Sequence, residues 1–216
     1  MTVVAFDFDG TLSDSEMTVL LGDRCGVADE MAAITERSMN DEIDYAESLR
    51  QRAALLEGLS AAEADAAFDE VVLREGAADL IADLDAAGVT TAILTGGFER
   101  GVAAALEREG VSVDHIVSNR LPRTEDGSEL TGEVEGPLIE GTKDDALEDL
   151  ADDVGVDLSE TVAVGDGAND LPMLRVAGLS IGFDPKPAVE PHCEVVVTSM
   201  AEARDVLVDR GVLEDD

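Results

Sequence analysis

Two carboxylates, Asp7 and Asp9, stand two positions apart in the segment Asp7-Phe8-Asp9-Gly10-Thr11, directly after a short apolar run. Where a strand gives way to a loop, residues at this spacing can point differently, so one can face a ligand while the other takes a separate role. Alone the pair says little, because loop carboxylates mostly face solvent or cap helices. A second acidic loop, Gly165-Asp166-Gly167-Ala168-Asn169-Asp170, changes the weighing. Two carboxylate clusters at neighbouring strand ends repel each other unless a cation lies between them. Hard oxygen ligands, few in number and leaving room for water and phosphate, suit Mg²⁺.

Two further features point to an anion beside that cation. Thr95-Gly96-Gly97 precedes a helical pattern and so offers a hydroxyl and main-chain N–H groups, although a plain helix cap would look the same. Lys143 is one of only two lysines in the chain, the other being Lys186. At a helix start it opposes the macrodipole, which favours acids there. A compact positive charge in that place answers either to phosphoryl oxygens or to the carboxylate cluster.

The elements that must position these residues alternate. Val3–Phe6, Thr90–Leu94 and Thr161–Val164 read as buried strands, each ending in one of the three loops. Ile116–Val117, Leu179–Ile181 and Val195–Val197 are shorter strand candidates, and helical patterns cover 77–87, 98–109, 143–154 and 170–177. Such alternation predicts an α/β fold, a doubly wound parallel sheet with helices on both faces and ligands at the strand C-terminal ends. Residues 14–75 break the pattern: they are rich in Ala, Leu, Glu and Arg at helical spacing, with Ser60 and Glu63 spaced as a capping box. They are expected to form a small helical cap inserted after the first strand, leaving 1–13 and 76–216 as the core. Asp126-Gly127 predicts a small hairpin within 120–137, and Ser199 with Glu202 a cap for the last helix.

With 216 residues, 45% of them hydrophobic, the chain can bury a core despite a formal net charge of −36 from 50 acidic and 14 basic residues. That charge repels nucleic acid and anionic membranes. The acids are spread along the whole chain, which argues against an acidic tail, and no EF-hand loop is evident. The pattern resembles proteins of salt-accumulating organisms, since molar salt screens self-repulsion to within a few ångströms. No apolar run approaches the roughly 20 residues that span a bilayer, and no signal peptide is evident, so a cytoplasmic location is expected. Cys25 and Cys193 match no metal or redox spacing and are expected to be buried free thiols. His115 and His192 fit no motif.

In order and spacing, the Asp7–Thr11 segment, Thr95, Lys143 and the Asp166–Asp170 loop resemble the haloacid-dehalogenase-like phosphatases. Within that superfamily the chain is similar to the phosphoserine phosphatases from about Val3 past Pro187. The most specific stretches are Ser48-Leu49-Arg50-Gln51-Arg52-Ala53-Ala54-Leu55-Leu56, Thr95-Gly96-Gly97-Phe98, Leu130-Thr131-Gly132 and Val162 to Asp170. The resemblance implies a phosphomonoester hydrolase in serine biosynthesis, with O-phosphoserine as substrate and Mg²⁺ as cofactor. It implies that Asp7 attacks phosphorus and that Asp9 protonates the leaving oxygen, then activates water. The metal would be held by the Asp7 side chain, the Asp9 carbonyl and Asp166, with Asp170 acting through water or as an orienter.

The same resemblance assigns the phosphoryl oxygens to Thr95, the Gly96–Gly97 region and Lys143, with Asn169 nearby. Glu16 matches the partner of the substrate ammonium and Arg52 that of its carboxylate, while Met39 and Tyr45 match positions that close over the substrate. Gly10 and Thr95 depart from the family, which usually has Ser at both places, and this weakens the substrate assignment without touching the chemistry. Two alternatives stay open. One is a related phosphatase for another small phosphomonoester, such as phosphoglycolate or a sugar phosphate. The other is a non-catalytic phospho-aspartate switch, against which the helical insertion, the second Asp at i+2 and the chain length all speak.

Overall fold

The computed structural model describes residues 2–39, 42–140 and 142–214. Its centre is a six-stranded, all-parallel sheet in the order β3-β2-β1-β4-β5-β6, formed by β1 (Val3–Phe6), β2 (Thr90–Phe98), β3 (His115–Asn119), β4 (Thr161–Gly165), β5 (Leu179–Phe183) and β6 (Val195–Val197). The chain winds outward from β1 to β2 and β3, then returns to place β4 on the other side of β1. The β1–β4 boundary is therefore the switch point, and its crevice opens where Asp7 and Asp166 leave their strands.

Strand alternation sorts the core into two layers. Val4 and Phe6 face one cluster with Ile93, Leu80 and Leu207, while Val3 and Ala5 face another with Leu94, Leu147 and Met173. The first layer is covered by α5 (Ala77–Ala86), α6 (Glu99–Glu109) and α9 (Met200–Asp209), the second by α7 (Lys143–Val154) and α8 (Leu171–Val176). All four residues of β1 are fully buried, as expected of a strand covered on both faces.

Between β1 and α5 the chain inserts α1 (Met17–Cys25), α2 (Ala28–Met39), α3 (Tyr45–Ala54) and α4 (Ala61–Phe68). The expected caps form, since Ser60 Oγ accepts from the Glu63 N–H at 3.3 Å and Ser199 Oγ from that of Glu202 at 3.2 Å. The 120–137 segment is a loose hairpin with two antiparallel bridges, Arg120 to Glu135 and Arg123 to Leu130, turning at Gly127 with φ +72°. Its Leu130 N–H reaches the Leu59 carbonyl at 2.9 Å, tying it to the inserted helices.

Two expectations are corrected. Thr95-Gly96-Gly97 is not a loop after β2 but its irregular end, because the strand continues to Phe98 with a register shift against β3 between Leu94 and Phe98. Two glycines in succession let the strand kink there without ending. Cys25 and Cys193 are free but half-buried.

Candidate active site

The main-chain N–H of Asp7 donates to the Val164 carbonyl at 2.8 Å, one step beyond the Phe6–Val164 pair of the ladder. This pins the carboxyl in the crevice between β1 and β4. Lys143 meets it from the first turn of α7: its Nζ donates to Asp7 Oδ1 at 2.5 Å and to Asp170 Oδ1 at 2.6 Å. Lys143 lies on the same buried stripe of α7 as Leu147, Leu150 and Ala151, so apolar packing of the helix carries the ammonium to the strand ends. A lysine that opposes the helix dipole is held there by two carboxylates.

Asp170 is fully buried and orients its neighbours. Its Oδ2 accepts from the N–H groups of Asp166 at 2.9 Å and Gly167 at 2.8 Å, which shapes the turn that presents Asp166. Gly10, at φ +92°, faces that turn, and a β-carbon there would stand 2.7 Å from Asp166 Oδ1. Both its backbone angle and this close approach require glycine.

Negative charge outweighs positive here. Burial, then the Asp170 carboxylate, push the Asp7 carboxyl up to about 7, with Lys143 opposing. Burial, followed by Asp7 and Glu16, raises Asp9 well above the usual carboxylate range. Asp9 Oδ1 is shielded from solvent without a hydrogen-bond partner. Burial alone would lower Lys143, but Asp170 and Asp7 reverse this and hold it above the ordinary lysine value. Asp166 is raised by burial although Lys186 pulls it down, with Lys186 Nζ 3.2 Å from Asp166 Oδ2. Carboxylate oxygens of Asp7, Asp166 and Asp170 lie within 4.8 Å of one another. An all-oxygen, under-neutralised set of this kind fits a hard divalent cation.

These groups open into a cavity of about 500 Å³. Its floor includes Asp7, Asp9, Lys143 and Asp166, and one wall is Thr95, Gly96 and Gly97. Thr95 is buried, and its Oγ1 accepts from the Gly97 N–H at 2.9 Å, so its own O–H is left to donate elsewhere. The inserted helices supply Glu16, which is the N-cap residue of α1 without a side-chain cap bond, Tyr45 at the start of α3, and Arg52 in its last turn. Burial lowers the Arg52 guanidinium, against Tyr45, Glu16 and Asp9. Asn169 lines the rim and is exposed. Asp170 is not on the wall and stands behind Lys143. Met39 is the last residue of α2, and its side chain lies outside what the structure describes.

Sequence reasoning missed two residues that hold this wall and floor. Asn119, fully buried, donates from Nδ2 to the Gly96 carbonyl at 3.0 Å and accepts from the Leu138 N–H at 3.1 Å. Its one sequence signal is Gly136, at φ +147°, where a β-carbon would collide with Asn119. Lys186 was visible as the second of two lysines, yet it sits in no motif.

The haloacid dehalogenase-like hydrolase family matches residues 4–175, which span every group just described except Lys186. The chain belongs to this family. A phosphoserine phosphatase of Halobacterium salinarum is 55% identical over 98% of this chain and 100% of the relative. One of Methanocaldococcus jannaschii is 36% identical over 94% of this chain and 93% of its own length. Among solved structures, a phospho-aspartyl intermediate analogue of phosphoserine phosphatase superimposes with a TM-score of 0.85 at 35% identity, covering 95% of this chain and 98% of that one. The haloacid dehalogenase-like fold thus accounts for the sheet order and for the site at its switch point. The Halobacterium relative also agrees with reading the acidic surface as salt adaptation. No helix among the described residues is long and apolar enough to cross a membrane.

Proposed function

We propose that this hydrolase cleaves O-phosphoserine to serine and phosphate through an aspartyl-phosphate on Asp7, with Mg²⁺ as cofactor. The observation that carries the substrate reading is that Glu16 and Arg52, both from the inserted helices, line the same cavity as the Asp7–Lys143 pair. Phosphoserine has an ammonium and a carboxylate for these two charges, whereas phosphoglycolate has no ammonium and a sugar phosphate has neither. The solved relatives include a substrate-bound phosphoserine phosphatase complex, similar at 34% identity with a TM-score of 0.85 over 95% of this chain and 96% of that one.

Asp7 attacks phosphorus while the bond to the seryl oxygen breaks. Asp9, whose burial and acidic neighbours favour the protonated form, gives that oxygen its proton. The resulting Asp9 carboxylate then takes a proton from water, whose oxygen attacks phosphorus and releases phosphate, returning Asp7 to its carboxylate. Lys143, the Thr95 hydroxyl and main-chain N–H groups near Gly96 and Gly97 hold the equatorial oxygens, whose charge is the main burden in phosphoryl transfer. Asp7, Asp166 and the Asp9 carbonyl would hold the cation, with Asp170 orienting the set. When bound, the cation supplies positive charge to the phosphoryl oxygens and to these carboxylates. Residues 14–75 act as the cap over a core of 1–13 and 76–216, with Tyr45 and Met39 on the closing side.

The test is a comparative assay of phosphoserine, phosphoglycolate and a sugar phosphate with Mg²⁺ in molar salt. Preference for phosphoserine in kcat/KM is expected, and turnover of phosphoserine no better than of phosphoglycolate would sink the substrate reading.

A further inference from the structure

Arg74 lies on the segment that returns from the inserted helices to the core, and it belongs to none of the family motifs. Its Nε donates to the Thr11 carbonyl and its Nη2 to the Gly10 carbonyl, both at 3.1 Å. The guanidinium carbon stands 4.9 Å from the ring centroid of the buried Phe183, at the end of β5. The main chain of Arg74 is anchored as well, its N–H donating to the Leu12 carbonyl at 2.8 Å. In a chain with 50 acidic residues, this guanidinium is committed to two successive main-chain carbonyls and an aromatic face. A planar fork of donors meets two such carbonyls in one fixed geometry, with a separate N–H to each.

Those carbonyls belong to the turn that carries Asp9. Asp7 needs no such help, because its N–H is fixed to β4. Asp9 lies beyond the ladder, in a turn closed from inside by Gly10 N–H to the Ser13 carbonyl at 2.8 Å and Thr11 N–H to the Phe8 carbonyl at 3.1 Å. Ser13 Oγ in turn donates to the Val72 carbonyl at 2.7 Å, and Val72 N–H to Ser15 Oγ at 3.3 Å. The outgoing and returning segments are thus laced together beside this turn, and Arg74 braces its outer side. We infer that Arg74 is the positioning residue for Asp9, holding the Gly10–Thr11 turn so that the acid-base carboxyl meets the leaving oxygen.

This rests on the role proposed above for Asp9, and the experiment separates the two. A serine alkoxide needs a proton to leave and p-nitrophenolate does not, so an effect on Asp9 is selective between them. In single-turnover release of the leaving group, Arg74→Met is expected to slow phosphoserine about 30-fold and p-nitrophenyl phosphate less than about threefold. The phosphoserine KM is expected to stay within about twofold. Arg74→Lys keeps the charge but lacks the fixed fork and the flat face that meets the Phe183 ring, and should recover part of the loss. Equal losses on both substrates, no loss on either, or a lysine variant equal to wild type would overturn the inference. Should wild type fail to hydrolyse phosphoserine, the substrate reading falls instead, and an alkyl phosphate that it does cleave takes the same place in the comparison.

Discussion

The hydroxyl of Tyr45 occupies the space in which a β-carbon on Gly96 would stand. A side chain from the inserted helices therefore closes directly onto the kinked end of β2, and the glycine is what admits it. Gly96→Ala should push the ring away and lower kcat/KM for phosphoserine, while Tyr45→Ala should lower it by losing the lid. Because each removes the same contact, the double variant should lose less than the sum, with a coupling of about 1–2 kcal/mol. Strictly additive losses would mean that the contact has no part in catalysis.

Charge in the site should be visible in stability. The Asp7 carboxyl is raised by burial to about 7, so the folded protein holds a proton that the unfolded chain gives up near the ordinary carboxylate value. The stabilising effect of that proton is complete below about pH 4 and is lost as pH rises toward 7. In metal-free protein, Asp7→Asn should therefore melt above wild type at pH 8, by more than about 3 °C. The advantage should shrink steadily toward pH 4. A difference independent of pH, measured by calorimetry across that range, would contradict the raised pKa.

Arg52 reaches the cavity from α3 and is expected to pair with the substrate carboxylate. Arg52→Ala should cut kcat/KM for phosphoserine about 100-fold, the scale of losing one partner of a desolvated charge pair. Phenyl phosphate, which has no carboxylate, should lose less than about fivefold on the same reasoning. Parallel losses on the two substrates would argue against recognition by this arginine.

With a net charge of −36, the fold should strengthen as salt shortens the reach of self-repulsion. The melting temperature should rise by about 10 °C or more between 0.1 and 2 M KCl, as the screening length falls from about 10 Å to under 3 Å. An unchanged value would remove salt adaptation as the reason for the acidic surface.

Much of this was legible in the residues. Buried parallel strands such as Val3–Phe6 carry an unbroken apolar run, and Lys143 stood out because lysine is rare in the chain and misplaced for a helix dipole. What stayed hidden depends on long-range contacts between ordinary residues. Arg74 reads as one of twelve arginines until the fold brings it to the Gly10 and Thr11 carbonyls. Asn119 reads as a strand end until its amide meets Gly96. The extension of β2 through Gly96 and Gly97 was missed because paired glycines signal a loop locally, while pairing with β3 at Phe98 overrides that preference.

The most direct test of Asp7 as nucleophile uses Asp9→Asn, which keeps the nucleophile but lacks the base that activates water. Mixed with p-nitrophenyl phosphate, whose leaving group needs no proton, and Mg²⁺ in molar salt, then quenched in acid and mapped by peptide mass spectrometry, it should accumulate about one phosphoryl group per chain on Asp7. Phosphate on another residue, or none on a folded variant whose wild type turns p-nitrophenyl phosphate over, would contradict the account.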